Sequence, residues 1–143
     1  MSDTSPTRTE TLATFLDASP FVKTLGMVCD IKGDEMTAVL PFQPKLIGSV
    51  PLQALHGGVI GSFLELTAMS QVYLLSASHG MPRPINLTID YIRSARAESL
   101  YARAHVTKLG RRIANVRAEA WQSHRDKPVA SLHAHFLVAQ TTN

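Results

Sequence analysis

The stretch LHGGVIGSFLE, Leu55 to Glu65, combines residues that could do chemistry with a run that looks ready to be buried. His56 precedes two glycines, and the only carboxylate of the run, Glu65, comes nine residues after the histidine. If the run is helical, Gly57 and Gly58 stand at its N-terminus, where the first N–H groups lack intrahelical acceptors and the dipole is positive. Glycine there lets another group approach the backbone with no Cβ in the way. Donors of this kind hold the negative charge that develops on an oxygen during reaction. A carboxylate in an apolar helix is partly desolvated, which raises its pKa and its basicity and suits a general base or a nucleophile. Blander readings stay open. Glu65 could be a structural carboxylate paired with an Arg, and Gly57 and Gly58 could serve only to turn the chain tightly. His56 could orient the loop, contact a substrate or cap the helix.

Helical geometry sharpens the question. Nine residues amount to about 180° of rotation and roughly 13 Å of rise, and Gly57 is still about 12 Å from Glu65 along the axis. That is too far for both to hold one carbonyl. If they act on the same group, they must come from different subunits, with Gly57 of one copy facing Glu65 of the other.

The elements that must position these residues follow from periodicity. TETLATFLDAS, Thr9 to Ser19, places Leu12, Phe15 and Leu16 at helical spacing, with residues 1–9 a flexible tail and Pro20 the stop. MVCDI and EMTAVLPF read as strands around a KGD turn, and QPKLIGSVPLQA as an irregular loop. From His56 to about Ala77 the sequence is apolar on nearly every side, as in a buried helix. After Pro84 the period becomes two, with Ile85, Leu87, Ile89 and Tyr91 alternating with polar residues. Runs starting at Leu100, Ala114 and Ala130 repeat the pattern, predicting four consecutive strands in an antiparallel meander, apolar on one face. The expected architecture is α+β, a curved antiparallel sheet wrapped around one long helix. Its division is a tail and short helix over 1–20 and one domain over 21–143.

Bulk properties narrow the classes. A chain of 143 residues, 45% hydrophobic, fits one domain with a real core. No apolar run is read as reaching the roughly 18 to 20 residues of a membrane span, and the polar start MSDTSPTRTE shows no secretory pattern. Cys29 is alone, so an internal disulfide and a Cys-rich zinc site are excluded, and the expected compartment is the cytoplasm. The net charge of +3 comes without a basic block, and aromatics are 6% of the chain, which argues against nucleic acid.

The helix opening HGG, the carboxylate nine residues after its His, the strand NLTIDYIRSA and the later HVTKLGRRIANVRAEAW and KPVASLHAHFLV resemble the hotdog-fold acyl-CoA thioesterases. The nearest branch is the phenylacetate-degradation type, with kinship to the 4-hydroxybenzoyl-CoA type, over about Phe21 to Val138. The resemblance implies hydrolysis of an acyl-CoA thioester by a homodimer or a homotetramer, with no cofactor beyond the coenzyme A of the substrate. It assigns Gly57 the N–H that polarises the thioester carbonyl and Glu65 the role of nucleophile or base, with His56 beside them. Gly58, Gln53 and Met69 are candidate substrate contacts, and Lys108, Arg111 and Arg112 around Gly110 are a candidate seat for coenzyme A phosphates. Arg93 and Arg96 are weaker candidates of the same kind, and Asp90 and Tyr91 read as structural. The sequence departs from the family twice. Val50 stands six residues before the His where Asn or Gln is common, and Gln53 stands where a Gly is usual.

Two other functions compete. A non-catalytic acyl-CoA binder is the reading that Val50 favours. A hotdog hydratase or dehydratase would place its acid after a Pro-Gly pair, which HGGVIGSFLE lacks. His105, His133 and His135 raise a metal site, but no carboxylate or thiolate falls at ligand spacing, so no metal is expected and these read as outer-face residues.

Overall fold

The computed structural model describes residues 4–138. Its centre is the apolar run, folded as the helix Gly57–Leu75, the third in the chain (α3). Before it come α1 (Arg8–Ala18), α2 (Pro20–Leu25) and the strands β1 (Val28–Lys32), β2 (Glu35–Leu40), β3 (Ile47–Ser49) and β4 (Ala54–Leu55). After it come β5 (Arg83–Tyr91), β6 (Leu100–Leu109), β7 (Ile113–Trp121) and β8 (Ala130–Leu137). Among the described residues six strands form one antiparallel sheet in the order β1-β2-β6-β7-β8-β5, and β3 and β4 pair separately. The sheet wraps α3, which is the hotdog arrangement.

Packing is large against small. Phe63, Leu64 and Val72 of α3 are fully buried against an inner sheet face rich in alanine, including Ala102, Ala114, Ala118, Ala120, Ala130 and Ala134. Small side chains on the sheet let the helix sit deep against it. By length and hydropathy α3 matches a membrane span, contrary to the sequence estimate, yet 67% of its 18-residue apolar window is buried within the fold, as suits a core helix. Its burial is not complete either. A stripe through Gly58, Val59, Ser62, Glu65 and Leu66 stays partly accessible.

Alternation identified the four long strands, but Ile85 and Tyr91, expected on the covered face, are 51% and 56% exposed on β5, an edge strand, and the meander is corrected. Only β6, β7 and β8 follow one another across the sheet; β5 lies at the far edge beside β8. The connector over residues 92–99 crosses the sheet end to return to β2. Its course is fixed by Ile92 N–H and Arg93 N–H donating to Val129 O and by Gln122, which bonds Arg96 and Glu98. Eight residues are more than a tight hairpin uses, and that length was the sign of a crossover.

Three local expectations also change. Pro20 does not simply end a helix; with Ser19 as N-cap it begins α2, whose missing N–H costs nothing at that position. The stretch 1–9 is not all tail, because α1 starts at Arg8. The Arg8 guanidinium donates to the carbonyls of Tyr73 and Ser78 and lies 4.0 Å from the centre of the Tyr73 ring. A cation is thus set on the negative end of α3. Phe15 is 41% exposed, leaving Leu12 and Leu16 as the buried residues of α1. The loop before the central helix is more ordered than its prolines and glycine suggest, since it contains a short 3-10 turn and the β3–β4 hairpin.

Candidate active site

The hairpin delivers the chain into α3 at a fixed angle. His56 N–H donates to Leu46 O at 2.9 Å, and Gly48 runs so close to His56 that a Cβ on it would fall 2.7 Å from the His56 Cα. Only glycine fits there. At the hairpin tip Gln53 has φ +49°, and both its backbone N–H and its side-chain amide donate to Val50 O. This is the position where the resemblance implies glycine, and a left-handed backbone suits that residue. The Gln53 amide nitrogen is committed to the turn.

His56 caps the helix. Its Nδ1 accepts from Gly58 N–H at 2.8 Å, so the neutral ring carries its proton on Nε2. The carbonyl of His56 accepts from Val59 and Ile60. Three of the first four N–H groups of α3 are therefore satisfied. Gly57 N–H is the one left with no acceptor among the described residues. It is the same donor that the resemblance assigned to the carbonyl of a thioester.

Nor does packing within the chain account for glycine at this position. A Cβ on Gly57 would meet only the Tyr91 ring, at an ordinary 3.5 Å. Gly61, one turn later, differs: its Cβ would strike Ile89 Cδ1 at 2.9 Å. At Gly61 the end of the Ile89 side chain would have to shift, whereas the bare backbone at Gly57 leaves room for something from outside the chain.

Glu65 lies in the accessible stripe, half-buried on a helix whose other faces are apolar. Its carboxylate has no hydrogen bond and no ion pair among the described residues, so the structural pairing with an arginine is not present. Desolvation by burial raises its pKa above the ordinary carboxylate value. Met69, one turn on, is buried in the core cluster beside that stripe. Because α3 is continuous, Gly57 and Glu65 remain about 12 Å apart along the axis, and one protomer does not bring them together.

The pKa shift has two signed consequences. Activity that needs ionised Glu65 rises with pH along a limb whose midpoint lies above that of an ordinary glutamate. Folding responds oppositely. A carboxyl with a raised native pKa binds more protons folded than unfolded, so its contribution to stability falls as pH rises through that window. The stability difference between Glu65→Gln and wild type is expected to grow in favour of the variant as pH increases from acid, measured by thermal unfolding across pH.

The remaining candidates sit elsewhere. Lys108, Arg111 and Arg112 are exposed at the β6–β7 turn. The register places Tyr91, Ala130, Ala120 and Ala102 in one row near Gly57, while the turn lies beyond the Leu109–Ala114 pair. Six residues along β7 separate the two rows, on the order of 20 Å, so within one chain the basic turn lies at the opposite end of the sheet from Gly57. Arg93 is held by Pro128 O and Arg96 by Gln122 in the crossover. His105, His133 and His135 are exposed on the outer face, His135 bonding Asn86, and no group of three metal-ligating side chains is gathered among the described residues. Cys29 is half-buried, and desolvation with the nearby Asp17 charge pushes its thiol up to about 11. A cavity of about 680 Å³ between the β1–β2 hairpin and β6 contains neither Gly57 nor Glu65.

A long helix in a curved antiparallel sheet defines a hotdog protein, here with an unpaired N-terminal donor and an unpaired carboxylate two turns on among the described residues. The chain belongs to the Thioesterase superfamily, which it matches over residues 52–137. It is similar to the medium/long-chain acyl-CoA thioesterase YigI of Escherichia coli K12, 28% identical over 139 residues covering 87% of this chain and 88% of that protein. Among solved structures, a protein of Chromobacterium violaceum is 36% identical with a TM-score of 0.74, covering 94% and 93% of the two chains. A phenylacetic acid degradation-related protein of Ralstonia eutropha shares the fold, with a TM-score of 0.75 at 24% identity over 89% and 98%.

Proposed function

We propose that this protein hydrolyses acyl-CoA thioesters at a site formed between two copies of the chain. The observation that carries the reading is that two groups suited to one reaction lie unpaired on one continuous helix, too far apart to meet within a protomer. Gly57 N–H of one copy holds the carbonyl oxygen. Glu65 of the other takes a proton from water as the water oxygen bonds to the carbonyl carbon, or attacks that carbon itself to give an anhydride that water opens. Either way the C–S bond breaks, coenzyme A leaves as the thiol, and the free acid remains.

The free edge of β5 supports this assembly. It is an edge strand with Ile85 51% and Tyr91 56% exposed, and Pro84 within it is tolerated at an edge. Two-fold antiparallel pairing there sets the Arg83 end of one copy beside the Tyr91 end of the other. The basic turn of the second copy then lies toward the first copy's Gly57, a disposition suited to coenzyme A phosphates.

For the acyl group the reading is an aliphatic chain of medium or greater length. The E. coli relative acts on such substrates. Val50 and Leu52, 72% and 73% exposed on the turn beside the helix N-terminus, offer an apolar surface where the family has a polar residue. The test is hydrolysis of octanoyl-, palmitoyl-, phenylacetyl- and 4-hydroxybenzoyl-CoA, followed by free thiol. Faster turnover of the first two is expected; preference for the aryl pair would overturn the acyl assignment. Binding without turnover of any would select the non-catalytic binder instead.

A further inference from the structure

Gly57 is a glycine at the first position of a helix, so something outside its own side chain must fix its backbone if its N–H is to be a precise donor. The hydroxyl of Tyr91, at the end of β5, donates to Gly57 O at 2.8 Å. Its ring also packs against Gly57, and its hydroxyl oxygen reaches Gly61 as well. Built Cβ atoms on Gly57 and Gly61 would lie 3.5 Å and 3.4 Å from the Tyr91 hydroxyl oxygen. The other end of the same peptide unit is the Gly58 N–H, which His56 Nδ1 accepts at 2.8 Å. The Gly57–Gly58 peptide is therefore held at its oxygen by Tyr91 and at its nitrogen by His56.

We infer that Tyr91 is a positioning residue for the reaction: with His56 it clamps the Gly57–Gly58 peptide and so aims the unpaired Gly57 N–H at the thioester oxygen. The inference rests on the thioesterase reading of the site. Hydrogen bonds in series through one peptide polarise each other and resist rotation of its plane. With that plane held and the His56 carbonyl fixed by Val59 and Ile60, Gly57 keeps little freedom in the direction of its own N–H. Tyr91 does not touch the reacting atoms. Its effect passes through Gly57, and it arises from the edge strand rather than from the helix.

Tyr91→Phe keeps the ring against Gly57 and deletes one hydrogen bond. The expected result is a fall in kcat of about tenfold, the size of one neutral hydrogen bond lost in the transition state, with KM for octanoyl-CoA within about twofold. In the Gly57→Pro background, which has no N–H to aim, Tyr91→Phe should cause no further loss. A Gly57 amide peak shifted in the nitrogen–proton correlation spectrum of Tyr91→Phe should accompany the kinetic change. An unchanged kcat, or the same tenfold loss persisting in the Gly57→Pro background, would overturn the positioning role. If the wild type turns over no acyl-CoA, the thioesterase reading fails by itself. The amide spectrum then decides separately, an unmoved Gly57 peak overturning the clamp and a moved one upholding it.

Discussion

Glu65→Gln is expected to lower kcat by about a thousandfold, within the range a positioned general base contributes. The substitution preserves shape and the capacity to hydrogen-bond, and it removes the charge and the basic lone pair. Because Glu65 has no partner among the described residues, nothing is orphaned when it becomes an amide. The variant should fold, pair and bind acyl-CoA as wild type does, and at neutral pH unfold at an equal or higher temperature, since a partly desolvated charge has been removed. Thiol release, thermal unfolding and sedimentation on the same preparations check all three. Turnover within about threefold of wild type would remove Glu65 from the mechanism. Loss of turnover together with loss of folding would show the carboxylate to be structural after all.

The second large effect is expected from Gly57→Pro, which deletes an N–H that no atom of the described chain uses. Proline is favoured at the first position of a helix, where its fixed φ suits the turn and its missing donor is one of the orphans. The preceding residue must be extended, and His56 already is, with φ −64° and ψ 132°. The cap from Gly58 N–H to His56 is left in place. Stability should therefore change little while kcat falls by about a hundred- to a thousandfold, the usual effect of removing one oxyanion donor. Gly57→Ala is the companion: it keeps the N–H, meets only ordinary contact with Tyr91, and tests how closely the substrate approaches the backbone. A Gly57→Pro enzyme with wild-type kcat would show that the donor lies elsewhere.

Much of the fold could be read from the pattern of side chains. The change from a run apolar on all sides to period-two alternation located the helix and the four long strands, because burial of one face or of every face leaves that pattern in the residues themselves. The candidate residues stood out in the sequence for a similar reason. A carboxylate in an apolar helix and glycines at its start each run against what core packing alone would select, and the nine-residue spacing fixed their separation before any coordinates.

Relations between distant segments were not legible. Alternation states which face of a strand is buried and nothing about its neighbour, so β5 was placed beside β6 when it pairs with β8. Tyr91 reads as structural from the strand pattern, and its hydrogen bond across 34 residues to Gly57 is invisible there. The capping by His56, the left-handed Gln53 and the close pass of Gly48 likewise depend on how the hairpin meets the helix. Periodicity and composition are local and recoverable from the chain by itself. Which N–H remains unpaired is a remainder, decided only after every competing acceptor has been brought into place by the tertiary fold.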